Sequence, residues 1–137
     1  MSIQTKLENY KENLAFFEDE LQKYEFIIDL GKKLPPFDEK EQKDENLVQG
    51  CTSQVWLICE QKDDRLYFKG TSDAVIVKGL VYMILDIFSG ATIQELQEVN
   101  MDIVQELNLS EVITPNRQSG VTGMIKKIKS YALLQGA

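Results

Sequence analysis

Between Asp73 and Gly90 the chain reads DAVIVKGLVYMILDIFSG, and this stretch limits the possible folds more than any other. Its spacing suits a helix, but apolar side chains fall on most sides of it, so other elements must enclose it. Gly79, near its middle, has no Cβ and implies close approach by another backbone segment. The apolar run from Ala74 to Phe88 is interrupted by Lys78 and Asp86 and is too short to span a bilayer. The segment is therefore predicted as the buried central helix of a globular fold. Ser72 is a good N-cap for it, and Asp73 is suited to its first turn.

The flanking sequence supplies what covers that helix. Ile3, Leu7, Tyr10, Leu14, Phe17, Leu21, Tyr24 and Ile28 recur at alternating spacings of four and three. Such a stripe has two readings, a coiled coil or two amphipathic helices with a break near Glu18 to Glu20. Phe16, Phe26 and Ile27 widen it beyond a narrow seam and favour two helices. Gly31 ends the second helix, and Pro35-Pro36 prevents continuation. FDEKEQKDEN, residues 37–46, reads as a solvated loop. LVQG and then SQVWLICEQ follow, with a turn at Asp63-Asp64 and a further strand in RLYFKGT.

Thr92 and Glu95 form a capping-box pattern for a short helix, and Asn100 is placed to cap another. Thr114-Pro115 opens a last helix whose core face is Val121, Met124, Ile125, Ile128 and Ala132, with Lys126, Lys127 and Lys129 turned largely to solvent. These elements define an α+β fold, a small antiparallel sheet of about three strands packed among helices. The whole chain, 1–137, is read as one domain.

Composition narrows the function. Fifteen Lys and Arg against 22 Asp and Glu give a net charge of −7, which disfavours nucleic acid and anionic membranes as partners. No N-terminal segment joins basic residues to an apolar core, so the expected location is the cytoplasm. The chain has no histidine. That removes Cys–His and Ser–His nucleophile pairs, and two cysteines alone cannot close a zinc or iron–sulfur site. A monomer or a weak homodimer suits the size and acidity.

Chemistry then rests on a few residues. Cys59 alternates with Val55 and Leu57 and is predicted to share their buried face. Cys51, in QGCTSQVW, stands before the strand and outside its apolar alternation, with Gly50 beside it to permit a tight turn. The local pattern leaves two readings, an inert thiol at a turn or a sulfur presented for reaction. A thiol reacts as its thiolate, and without histidine the tuning falls to backbone amides, to the hydroxyls of Thr52 and Ser53, or to an arginine. Arg117 lies in the first turn of the last helix, where the helix dipole disfavours a cation, so an anionic partner is one reading of it.

At these residues the chain resembles the SufE/CsdE-like sulfur acceptors of iron–sulfur cluster assembly. The resemblance runs from about Tyr24 to Ala132. It is carried by YEFIIDLGKKLP, VQGCTSQVWL, GTSDAVIVKGL and TPNRQSGVTGMIKKIKSYA in order. Thr52 stands where glutamine is more usual, and Asn116 and Ser119 depart from commoner choices. The resemblance implies that Cys51 accepts persulfide sulfur from a pyridoxal-phosphate-dependent cysteine desulfurase (SufS/CsdA-like), stimulates that enzyme, and passes sulfur to a SufBCD-like scaffold. It implies that the chain itself binds no cofactor. It also implies that Asp73 and Arg117 neighbour the Cys51 loop, Asp73 bracing it and Arg117 facing an anionic sulfur or the partner. Two other readings stand beside it: a helical interaction module using the stripe of Leu7, Leu14 and Leu21, and a thiol–disulfide protein using Cys51 and Cys59.

Overall fold

The computed structural model describes residues 2–50 and 53–135. Helix α1 spans Ile3–Phe16, and Ser2 Oγ accepts the Thr5 N–H at 3.1 Å to cap it. Helix α2 spans Glu20–Gly31 and is capped by Asp19, which accepts the Leu21 N–H at 2.8 Å. Residues 17–19 separate the two helices, close to the break read near Glu18 to Glu20. The break also shifts the phase of the stripe. Leu7, Tyr10 and Leu14 are buried in α1, whereas α2 buries Ile27 and Leu30 and leaves Leu21 61% exposed. The stripe is thus two helices on a core. Leu21, expected on the core side, faces solvent, as does Phe16.

Strands β1 (Val55–Lys62) and β2 (Arg65–Ser72) form an antiparallel hairpin with Val55 opposite Ser72 and Lys62 opposite Arg65. Asp63 turns the chain with φ 56°, a left-handed conformation that Asp tolerates. Among the described residues the sheet has two strands, not about three. LVQG adds only an isolated bridge, Leu47 to Trp56, because the turn at Gln49-Gly50 ends the pairing after Val48. The α+β class holds.

Helix α3 (Val75–Phe88) buries ten of its residues and forms the centre of the fold. A Cβ on Gly79 would overlap the Ile27 carbonyl, and one on Gly31 would lie 2.8 Å from Gly79 N, so α2 and α3 cross backbone to backbone. The helix begins two residues later than its sequence suggests. Ser72 ends β2 and Ala74 holds the N-cap position without a side-chain cap.

Helix α4 (Ile93–Gln97) has the full capping box between Thr92 and Glu95. Helix α5 (Ile103–Glu106) is preceded by Asp102 at its cap, so Asn100 is not the N-cap. Its Oδ1 instead accepts the Asp102 N–H at 2.9 Å, closing a turn before the helix. Helix α6 (Pro115–Gln135) buries Val121, Met124, Ile125, Ile128 and Ala132, the face read from its spacing. Its lysines depart from a simple solvated face. Lys126 is exposed, but Lys127 Nζ lies 3.4 Å from both the Glu45 and Leu47 carbonyls, and Lys129 Nζ donates to the Val99 carbonyl. One hydrophobic cluster joins α1, α2, the hairpin, α3 and α6. Among the described residues, no helix is long and apolar enough to cross a membrane.

Candidate functional site

Cys51 and Thr52 lie outside the described residues; the segments on either side of them are described in detail. On the upstream side, the Val48 N–H donates to the Val55 carbonyl at 2.8 Å, tying the chain to the start of β1. Gln49 then lies against α6. A Cβ on Gly123 would overlap the Gln49 carbonyl and stand 3.1 Å from Val48 Cγ1, so glycine here lets the segment rest on the helix backbone. Gly50 takes φ +88°, which favours glycine, and its Cβ position lies 3.8 Å from the Ser119 carbonyl. There is space for a side chain at Gly50; the dihedral is what disfavours one.

On the downstream side, Gln54 is held through its backbone. Its N–H donates to Asp73 Oδ1 at 3.1 Å. Its carbonyl accepts the Ser72 hydroxyl at 2.7 Å and the Asp73 N–H at 3.3 Å. Ser72 Oγ also accepts the Ala74 N–H at 3.2 Å, so this buried hydroxyl uses both its donor and an acceptor position. In sequence Ser72 reads as a helix cap and Asp73 as a first-turn residue. Because the helix starts at Val75, both instead serve the junction between Gln54 and the β2–α3 corner. Ser53, half-buried, lies within the loop.

The described flanks of this loop are therefore anchored to three elements: the hairpin, the β2–α3 corner and the first half of α6. Asp73 meets the loop at Gln54, while Gly50 lies on the α6 side near Ser119. Arg117 is half-buried in the first turn of α6, two positions before Ser119, and its N–H donates to the Thr114 carbonyl at 3.0 Å. Among the described residues its guanidinium forms no ion pair. No described hydrogen bond joins it to the loop.

Cys59 sits elsewhere, and less deeply than its alternation suggests. β1 buries Val55, Trp56 and Leu57 in succession and then opens to solvent, which leaves Cys59 half-buried against the core. Burial, with a smaller contribution from the Glu60 carboxylate, pushes its thiol up to about 11, so it is protonated at neutral pH. Across the same face, burial raises Tyr131, whose hydroxyl donates to the Leu57 carbonyl at 3.3 Å. Among the described residues, no cluster of three or more His, Cys, Asp or Glu is placed to hold a metal ion.

Two parts of this frame are missed by sequence reasoning. Gly123 as a seat for Gln49 has a signal in the small residues of SGVTG, but its partner lies far earlier in the chain. The anchoring of the Gln54 backbone has none.

The arrangement has relatives among solved structures. A solution structure of a hypothetical protein from Thermus thermophilus superposes with a TM-score of 0.76, covering 94% of each chain at 17% identity, which establishes the shared fold. The SufE profile, described as an Fe-S metabolism associated domain, matches residues 8–132. An uncharacterized SufE-like protein of Rhizobium meliloti (strain 1021) is 40% identical over 133 residues, covering 93% of this chain and 95% of that protein. Another from Rhizobium etli is 34% identical over 136 residues, covering 96% and 92%. The chain belongs to the SufE family, and its role lies in iron–sulfur metabolism.

Proposed function

We propose that this protein is the sulfur carrier between a pyridoxal-phosphate-dependent cysteine desulfurase and an iron–sulfur scaffold, with Cys51 as the acceptor. The observation that carries the reading is the loop of residues 49–54. In a SufE-family chain, the segment bearing Cys51 is pinned at both ends through backbone hydrogen bonds and contacts. Anchored flanks of this kind suit a reactive thiol that must meet the active site of a partner protein.

The transfer is a thiol–disulfide type exchange. The Cys51 thiolate attacks the outer sulfur of the desulfurase cysteine persulfide. A new S–S bond forms on Cys51, the old S–S bond breaks, and the desulfurase cysteine leaves as a thiolate. No net oxidation or reduction occurs. The pair of electrons that attacks comes from Cys51, and the proton it must first lose goes to solvent or to the desulfurase, since this chain has no histidine to take it. Removing product persulfide from the desulfurase accounts for its stimulation. A SufBCD-like scaffold then receives the sulfur, in the cytoplasm. The pyridoxal phosphate belongs to the desulfurase.

Cys59 takes no part in this reading. As a protonated, half-buried thiol it neither competes for the sulfur nor attacks a Cys51 persulfide efficiently. Incubation with a cysteine desulfurase and free cysteine, followed by intact-mass measurement, tests the assignment: one sulfur is added to the wild type and none to Cys51→Ser.

A further inference from the structure

Helix α6 differs in charge from the rest of the molecule. It carries Arg117, Lys126, Lys127 and Lys129 and no Asp or Glu. Four positive charges on α6 within a chain of net −7 leave eleven negative for everything else. The positive helix is also the one on which the upstream side of the Cys51 loop rests.

Beside that contact lies an open recess of 300 Å³ lined by Leu47, Gln49, Gly123, Lys126, Lys127 and Ser130, none of them acidic. Gln49 closes against Gly123 at one side of it. Lys127 stands over the Tyr131 ring at 5.6 Å and reaches the Glu45 and Leu47 carbonyls, so its stem is held as one wall. Lys126 is exposed. Gln49 belongs to both the recess and the loop. Whatever binds here touches Gln49, two residues before Cys51 in the chain.

We propose that this recess seats a carboxylate-bearing segment of the cysteine desulfurase, with Lys126 meeting its charge and Lys127 shaping the wall. The proposal rests on the reading of the protein as a desulfurase partner. A recess whose lining carries two lysines and no carboxylate, on a helix of four positive charges in a protein otherwise negative, selects an acidic counterpart. It also orients the approach, since the remaining surface repels the same acidic segment.

The test is a titration of purified desulfurase against the full-length protein, following binding by fluorescence anisotropy and sulfur loading by intact mass. Lys126→Glu is expected to raise the half-saturating desulfurase concentration roughly fivefold and Lys126→Gln by less. Added salt should weaken the wild type more than Lys126→Glu. Lys126 is exposed, so an unchanged melting temperature shows that the variant is folded. Equal half-saturation and equal salt dependence in wild type and Lys126→Glu would overturn the proposal. The binding arm reads docking whichever cysteine accepts sulfur. If Cys51→Ser still loads, the assignment of the acceptor fails while the docking result stands on its own.

Discussion

Ser72 and Asp73 satisfy both backbone groups of Gln54, the residue that leads from the loop into β1. Ser72 is buried, so Ser72→Ala leaves its two partners short of a hydrogen bond and is expected to cost about 1–2 kcal/mol in urea unfolding. Asp73 is exposed, so Asp73→Ala should change stability less while loosening the loop, seen as slower sulfur loading at unchanged unfolding midpoint. Cys59 gives a pH prediction. Its folded value of about 11 lies above the ordinary 9.0, so the unfolded chain ionises first and binds fewer protons. Its contribution to stability is complete below about pH 9 and is lost as pH rises toward 11, and Tyr10 and Tyr131, both raised, act in the same direction higher up. Unfolding midpoints measured across that range should fall with pH. Alkylation of Cys59 in Cys51→Ser should keep rising over the same interval. At this scale the sequence shows that Cys51 lies outside the strand pattern. It does not show that a serine and an aspartate with helix-capping character are spent on a loop, because a small shift in helix start decides which backbone groups they reach.

The elements pack through one hydrophobic core, and glycines permit their closest backbone approaches. Gly79→Ala would drive a methyl group into the Ile27 carbonyl where α2 crosses α3, and should destabilise the protein by about 2–4 kcal/mol in chemical denaturation. Gly31 permits the same crossing from the α2 side. Gly123→Ala behaves differently. Alanine in a helix interior ordinarily gains about 1 kcal/mol over glycine, but here its Cβ overlaps the Gln49 carbonyl. The expected result is a displaced loop, with sulfur loading slowed more than helix content or melting temperature changes. The Gly79 approach is legible because a glycine inside an apolar helix has few other reasons to be there. The two helices of the N-terminal stripe are legible as well, but the side facing the core in α2 is not, since residues 17–19 reset the helical phase. The missing third strand follows from length: LVQG reaches its turn after one bridge.

At the scale of the molecule, a buried helix, a two-stranded hairpin and α6 converge on one loop, and the family match spans nearly the whole of this scaffold. The α+β class and the central helix follow from hydrophobic pattern. The family is legible in QGCTSQVW, GTSDAVIVKGL and TPNRQSGV, segments far apart in sequence that the fold gathers around residues 49–54. The recess on α6 is not legible, because it depends on the distance between Gln49 and Gly123 and on where two neighbouring lysines point. The central claim is that Cys51, and not Cys59, carries sulfur. Wild type, Cys51→Ser and Cys59→Ser are each incubated with a cysteine desulfurase and free cysteine, and their intact masses are measured before any reductant is added. One added sulfur on the wild type and on Cys59→Ser, with none on Cys51→Ser, is the predicted result; sulfur on Cys51→Ser at the wild-type level would contradict it.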